Sequence, residues 1–421
     1  MSLQQKDKKY IWHPFTQMQT APLSIPIVKG KGIYLYPENG EPIMDAVSSW
    51  WTSIHGHAHP YIADAVSEQF HTLEHVIFAG FTHPKAIELS ERIIGKLPYM
   101  HKVFFSDNGS TAVEVAIKMA FQYWFNKKET KTKIIAFNDA YHGDTFGAMS
   151  VGGRNTFNTP FNPFLFDVEF IDVPTPRNEQ KVKKQLLEKV KNNDVAAFIF
   201  EPLVQGSAGM VMYSPEILNE LIGICKDHQA LAIADEVMVG FGRTGKLFAT
   251  DYIENKPDII SLSKGLTGGT MPLGLTVCSD KIYDEFLSDD HSKTFFHGHS
   301  FTGHPLACAA ACASLDLMEK EETWQQIEMI VKEHQCFANT IRSNEKLKVV
   351  RQQGTILAME FEAGSSTSYF NNLRDTLYHF FLEKNILLRP LGNVLYILPP
   401  YCITKEELNR IYEAIQEFLN K

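Results

Sequence analysis

A chain of 421 residues, 44% apolar and 21% charged, has the make-up of a globular protein; it exceeds the roughly 250–300 residues at which one core stops growing, so two domains are expected. The formal net charge of −9 argues against nucleic acid or an anionic membrane as the main partner. No run reaches the ~20 apolar residues of a membrane span, Met1 to Tyr10 lacks the apolar stretch of a secretory signal, and the six cysteines contain no C-x-x-C pair, so a reduced, cytoplasmic enzyme is expected.

In chain order, residues 1–60 are rich in turns and short strands and are read as a segment that packs with a smaller domain. His55, His57 and His59 alternate there, but without Cys or acidic ligands nearby they read as a polar turn rather than a zinc site. Residues 61–304 alternate apolar runs with helical patterns. The runs are Lys102–Phe105, Lys133–Phe137, Val195–Phe200, Ala230–Ala234 and Asp258–Leu262; the helices include Ser110–Phe125, Gln180–Lys191 and Pro215–His228. This alternation predicts an α/β domain with a mostly parallel sheet, whose ligand edge lies at the carboxyl ends of the strands. Residues 305–421 read as a smaller α+β domain. It comprises helices over 305–320, 322–343, 368–384 and 404–420, with strands Leu347–Val350 and Ile356–Phe361. Cys308 and Cys312, four apart in an Ala-rich helix, read as core packing.

Four strand ends carry distinctive residues. Gly109, Ser110 and Thr111 open a helix, where free amides and the helix dipole favour an anion, although an ordinary N-cap explains Ser and Thr equally well. Asp235 closes an apolar strand and is either a helix cap, a metal ligand or the partner of a protonated ring nitrogen. Lys264 ends another strand before a glycine-rich turn; a desolvated amine there is a nucleophile toward carbonyls, while a lysine reaching out to solvent is the plain alternative. Tyr141, in Tyr141-His142-Gly143-Asp144, is an aromatic able to stack on a planar ring. Together these residues match what pyridoxal phosphate needs: a lysine, an acid for its ring nitrogen, an anion cradle and an aromatic lid. Gly240-Phe241-Gly242-Arg243-Thr244-Gly245 fits G-x-G-x-x-G, but its strand ends earlier, at Asp235, and Lys264 closes the next one where a dinucleotide site wants an acid.

Asp235-Glu236-Val237, Gly240 to Gly245, Pro257-Asp258-Ile259 and Ser263-Lys264-Gly265 resemble the signature of the class III aminotransferases, and the resemblance extends over nearly the whole chain. It implies a fold-type I, pyridoxal-phosphate-dependent transferase that works as a homodimer with shared active sites. Ile11 to Met18, Ser48-Ser49-Trp50-Trp51, Ile54 to His57 and Leu388-Arg389-Pro390, followed by Tyr396, resemble the branch that aminates 8-amino-7-oxononanoate in biotin synthesis. The resemblance implies that Lys264 is catalytic and attaches the cofactor, with Gly109, Ser110, Tyr141 and Asp235 binding it. His299 and Ser300 would reach the neighbouring subunit's phosphate; Phe15, Trp50, Tyr141, Lys264, Gly298 and Arg389 would meet substrate, Arg389 taking a carboxylate. It implies no metal, and S-adenosylmethionine as the amino donor.

Two motifs depart from the branch: Phe15 stands where Tyr is usual, and the pair His299-Ser300 where Pro-Thr is usual. Phe15 removes a substrate-facing hydroxyl and leaves lysine as the alternative donor. Another class III enzyme, acting on an ω-amino acid such as ornithine or 4-aminobutyrate, is the rival reading.

Overall fold

The computed structural model describes residues 1–362, 371 and 373–421. A seven-stranded sheet forms its centre, in the order Lys102–Ser106, Gly274–Cys278, Ile259–Leu262, Leu231–Asp235, Val195–Phe200, Lys133–Phe137 and Glu169–Ile171. Gly274–Cys278 is antiparallel to both neighbours, and every other pair is parallel. The mixed α/β architecture expected from the strand–helix alternation is therefore present, with the parallel strands ending along one edge.

Apolar residues on both faces explain why these strands lie inside the molecule. Ile134, Ile199, Leu231, Ile233 and Ile259 pack with the helix Gly109–Asn126 on one face. The alternate residues Ile135, Phe198, Ala232 and Ile260 pack on the other, with the helices Glu179–Val190 and Pro215–Asp227. Each fully buried Ile or Phe contributes about 1.5–3 kcal/mol, so the sheet and its two helical layers supply the rigid frame for the strand ends.

A second, antiparallel sheet of Leu347–Gln353, Ile356–Phe361 and Val394–Ile397 lies with the helices Glu321–Ile341, Leu373–Leu382 and Lys405–Asn420. A third sheet joins the two ends of the chain: Ile27–Lys31, Tyr34–Pro37 and Ile43–Asp45 are followed in order by Ile386–Leu387. The helix Pro305–Met318, which carries the buried Cys308 and Cys312, packs against Pro60–Thr72, Pro84–Lys96 and the turn after Lys264.

The structure adds elements that the pattern does not announce. The strand Gly274–Cys278 enters antiparallel between two others, and the edge strand Glu169–Ile171 is short. The region expected to hold turns and strands begins with a helix, Leu3–Tyr10, closed by a capping box between Ser2 and Gln5. Of the helix expected over 368–384, residues 368–370 and 372 lie outside the described residues. No helix among the described residues is long and apolar enough to cross a membrane.

Candidate active site

The parallel strands deliver their following residues to one edge of the sheet. Asp235 closes Leu231–Asp235 and is 5% exposed. Its Oδ1 accepts from the Val237 amide at 3.0 Å, and its Oδ2 lies 2.7 Å from Nδ1 of the buried His142. The next strand, Ile259–Leu262, leads through Ser263 to Lys264, whose φ of 47° is in the left-handed region that a non-glycine residue rarely adopts. Such backbone strain persists only where the surroundings enforce it. Here the turn is tied by Gly269 N–H donating to the Lys264 carbonyl, and Ser314 Oγ donating to that of Gly265.

The Lys264 amine sits 4.7 Å from the centroid of the Trp51 ring. Desolvation pulls its pKa down to about 8, with Asp235 and Glu201 opposing and Arg243 adding to the fall. An amine with this pKa is largely neutral just above physiological pH, as a nucleophile or proton acceptor must be.

Gly109 and Ser110 begin the helix Gly109–Asn126, capped by Asn108, whose side chain accepts from the Thr111 amide. A Cβ on Gly109 would lie 2.8 Å from Val237, so glycine is what lets the helix start close to the turn after Asp235. Ser110 Oγ accepts from the Thr145 amide at 3.1 Å and shares a hydrogen bond with Thr145 Oγ1. That contact brings the anion-type helix start against the loop carrying Tyr141. Tyr141 donates its backbone N–H to Glu201 and its hydroxyl to Asp144, at 3.2 and 3.0 Å. Desolvation, reinforced by Asp144, raises its phenol pKa.

Trp50 and Trp51 stand on one short turn. Trp51 is buried and donates its indole N–H to the Tyr396 hydroxyl at 2.9 Å. Trp50 is exposed; its ring packs against Phe15 at 5.6 Å between centroids, and the Arg389 guanidinium lies 4.4 Å over it. Phe15 in turn meets Phe157 edge-on at 5.9 Å. Among the described residues no carboxylate lies within ion-pair distance of Arg389.

The structure thus draws Lys264, Asp235, Tyr141, Gly109 and Ser110 to one sheet edge, with Trp50, Phe15 and Arg389 on the adjoining wall. Gly298, His299 and Ser300 lie on a separate turn. His299 faces His297 at 3.2 Å and Asp107 at 3.9 Å, while Gly298 and Ser300 are exposed. The G-x-G-x-x-G segment forms a buried turn, in which Arg243 donates to the Pro399 carbonyl at 2.8 Å.

Sequence reasoning missed two residues of the cluster. His142 was visible only as the neighbour of Tyr141. Glu201 follows the strand Val195–Phe200, and its carboxylate accepts from the amides of Tyr141 and Gly206. Burial raises its pKa to about 7. The signal available for both was position: each is a polar residue just beyond a strand end.

Residues 15–419 match the family model described as Aminotransferase class-III. The chain is 45% identical to the adenosylmethionine-8-amino-7-oxononanoate aminotransferase of Synechococcus elongatus, over 98% of this chain and 99% of that protein. A solved structure of the same-named enzyme from Methanocaldococcus jannaschii superposes with a TM-score of 0.93 at 36% identity, covering 99% of this chain and 98% of that one. An amine transaminase from an uncultivated Pseudomonas species, solved in its PLP-bound (internal aldimine) form, superposes with a TM-score of 0.89 at 29% identity, covering 97% of each chain. With a family match over almost its full length, and a lysine, an acid and a helix start gathered at one sheet edge, the chain belongs to the class III aminotransferase family.

Proposed function

We propose that this chain is a pyridoxal-phosphate enzyme that aminates 8-amino-7-oxononanoate to 7,8-diaminononanoate in biotin biosynthesis, with S-adenosylmethionine as the donor. The observation that carries the substrate reading is the Arg389 guanidinium stacked on Trp50, with no carboxylate of the described chain to pair with. An aromatic wall ending in one free cation suits an alkyl chain that ends in a carboxylate. The names of the relatives from Synechococcus elongatus and Methanocaldococcus jannaschii support the same substrate.

The donor set fits the cofactor. Gly109 and Ser110, at a helix start, would hold the phosphate; Tyr141 would cover the ring; Asp235, oriented by His142 and the Val237 amide, would pair with the ring nitrogen and keep it protonated. When bound, pyridoxal phosphate supplies an electron sink for negative charge developing on the substrate carbon. Lys264 would attach the cofactor, and its desolvated amine would hold and move the proton of the substrate carbon that bears nitrogen. Trp50 and Phe15 would line the acceptor's chain, and Arg389 would fix its far end.

The enzyme is a cytoplasmic homodimer with shared sites. Gly298 lines the neighbouring subunit's substrate site, and His299 and Ser300 reach its phosphate. The same turn leaves Phe296 and Phe301 at 74% and 55% exposure, as a surface meant for an apolar partner would. All six cysteines are free and four are buried, which fits a reducing compartment.

The test is mass-spectrometric detection of 7,8-diaminononanoate from 8-amino-7-oxononanoate, with S-adenosylmethionine and then lysine as donor. Product with S-adenosylmethionine is expected. Product with lysine alone reassigns the donor. No product with either, together with turnover of ornithine or 4-aminobutyrate, favours the rival ω-amino-acid reading.

A further inference from the structure

The turn that carries Trp50 and Trp51 is held in an unfavourable backbone conformation. Ser48, Ser49 and Trp51 have φ values of 51°, 58° and 65°, and none of the three is glycine. Left-handed backbone at non-glycine residues survives only where neighbouring groups enforce it.

Ser48 Oγ donates to the Leu398 carbonyl at 2.8 Å and the Trp51 indole to Tyr396, and one buried carboxylate ties the rest of the turn. Asp45, fully buried at the end of the strand Ile43–Asp45, accepts from the Val47 amide at 3.2 Å through Oδ1. Its Oδ2 accepts from the Ser49 amide at 2.7 Å and the Ser49 hydroxyl at 3.2 Å. His57 Nε2 lies 2.8 Å from the same oxygen. A carboxylate stripped of water needs such donors, so the turn and the carboxylate stabilise each other.

His57 is itself clamped. Its backbone N–H donates to Gly32 O at 2.7 Å, and its carbonyl accepts from Gly32 N at 3.1 Å. Gly30 leaves the space its side chain fills, since a Cβ there would lie 2.7 Å from His57 Cβ. From the other side, Asp45 pairs in parallel register with Leu387, and the Ala46 amide donates to the Leu387 carbonyl at 3.2 Å. Arg389 follows two residues later.

We infer that Asp45 and His57 are positioning residues for the acceptor: one buried carboxylate, oriented by one histidine, sets the Trp50 wall and the Arg389 cation in register. The inference rests on the proposed acceptor binding between Trp50 and Arg389. A wall and a cation that hold the unreacting chain of the substrate act equally on its ground and transition states, so their loss raises KM and spares kcat.

The test compares Asp45→Asn, His57→Phe and His57→Gln with the parent holoenzyme, following KM and kcat for 8-amino-7-oxononanoate, the visible cofactor band, and amide hydrogen exchange over residues 45–57. Asp45→Asn places an amide where Oδ2 accepted three donors. It is expected to raise KM on the order of ten- to a hundredfold, the scale of a lost hydrogen bond to a charged group, with kcat and the cofactor band kept and faster exchange over the turn. His57→Phe gives the same pattern more weakly; His57→Gln, which still donates, restores parental KM. Unchanged KM in Asp45→Asn and His57→Phe overturns the inference, whatever happens to the melting temperature, because a purely structural brace moves only that. If Asp45→Asn does not fold, His57→Phe decides by the same criteria. A parent that carries the cofactor band but does not aminate this acceptor sinks the substrate reading instead; the brace is then judged by the exchange measurement, where parental protection in Asp45→Asn or His57→Phe overturns it.

Discussion

Nδ1 of His142 lies 2.7 Å from Oδ2 of Asp235, both side chains are buried, and the two residues are 93 positions apart in the chain. The role proposed for Asp235, keeping one proton at one atom, needs a fixed orientation, and the histidine and the Val237 amide each hold one of its oxygens. Asp235→Asn is expected to lower kcat/KM on the order of a hundredfold or more, the scale of removing one preorganised charge from an active site. His142→Ala, which frees the carboxylate without removing it, lowers it less. Steady-state kinetics on both variants checks the order; equal loss in the two contradicts it.

With Lys264 as the proposed cofactor anchor, Lys264→Ala is expected to abolish turnover and the visible band of lysine-linked cofactor. The band surviving in that variant points to another lysine.

The pKa of Lys264, drawn down to about 8 mainly by desolvation, also sets a pH dependence. Below that pH the amine of cofactor-free protein is protonated and unreactive. The rate of cofactor uptake therefore rises about tenfold per pH unit toward pH 8 and levels off above it. Stopped-flow absorbance on apoprotein measures this, and a rise that continues to pH 10 denies the desolvated amine.

Arg389 stands over Trp50 with a planar guanidinium that can grip both oxygens of a carboxylate. Arg389→Ala is expected to raise KM for the acceptor on the order of a hundredfold, and Arg389→Lys to recover only part of it, because a lysine keeps the charge and loses the two-pronged geometry. Full recovery in Arg389→Lys excludes the bidentate reading.

Glu236, next to Asp235, is buried and accepts from the Ala249 and Thr250 amides at 2.9 and 2.7 Å. Burial raises its pKa from the usual 4.5 to about 7. Its folded form thus holds a proton that the unfolded chain has released between those values, and its contribution to stability is present below pH 4.5 and lost as pH rises to about 7. The parent's stability advantage over Glu236→Gln should shrink by a few kcal/mol across that window, which denaturant unfolding at several pH values records. A constant difference contradicts the raised pKa.

The sheet edge was legible in the chain because its signals are local. Val195–Phe200 and Lys133–Phe137 are mainly apolar runs with the bounds the structure gives them; Asp235 follows such a run directly, and Lys264 follows one after Ser263. The strand Gly274–Cys278 was less legible, since only its antiparallel pairing with two distant strands defines it.

By itself, then, the sequence determined the α/β alternation, the residues at the strand ends and the family they belong to, because periodicity and signature motifs are properties of neighbours in the chain. Only the tertiary structure decided that His142 orients Asp235, that Glu201 holds the Tyr141 backbone, that Arg389 lies on Trp50, and that Asp45 ties the Trp50 turn to the strand before Arg389. Those contacts join segments far apart in sequence. Their geometry follows from sheet register and packed side chains, and no local pattern encodes either one.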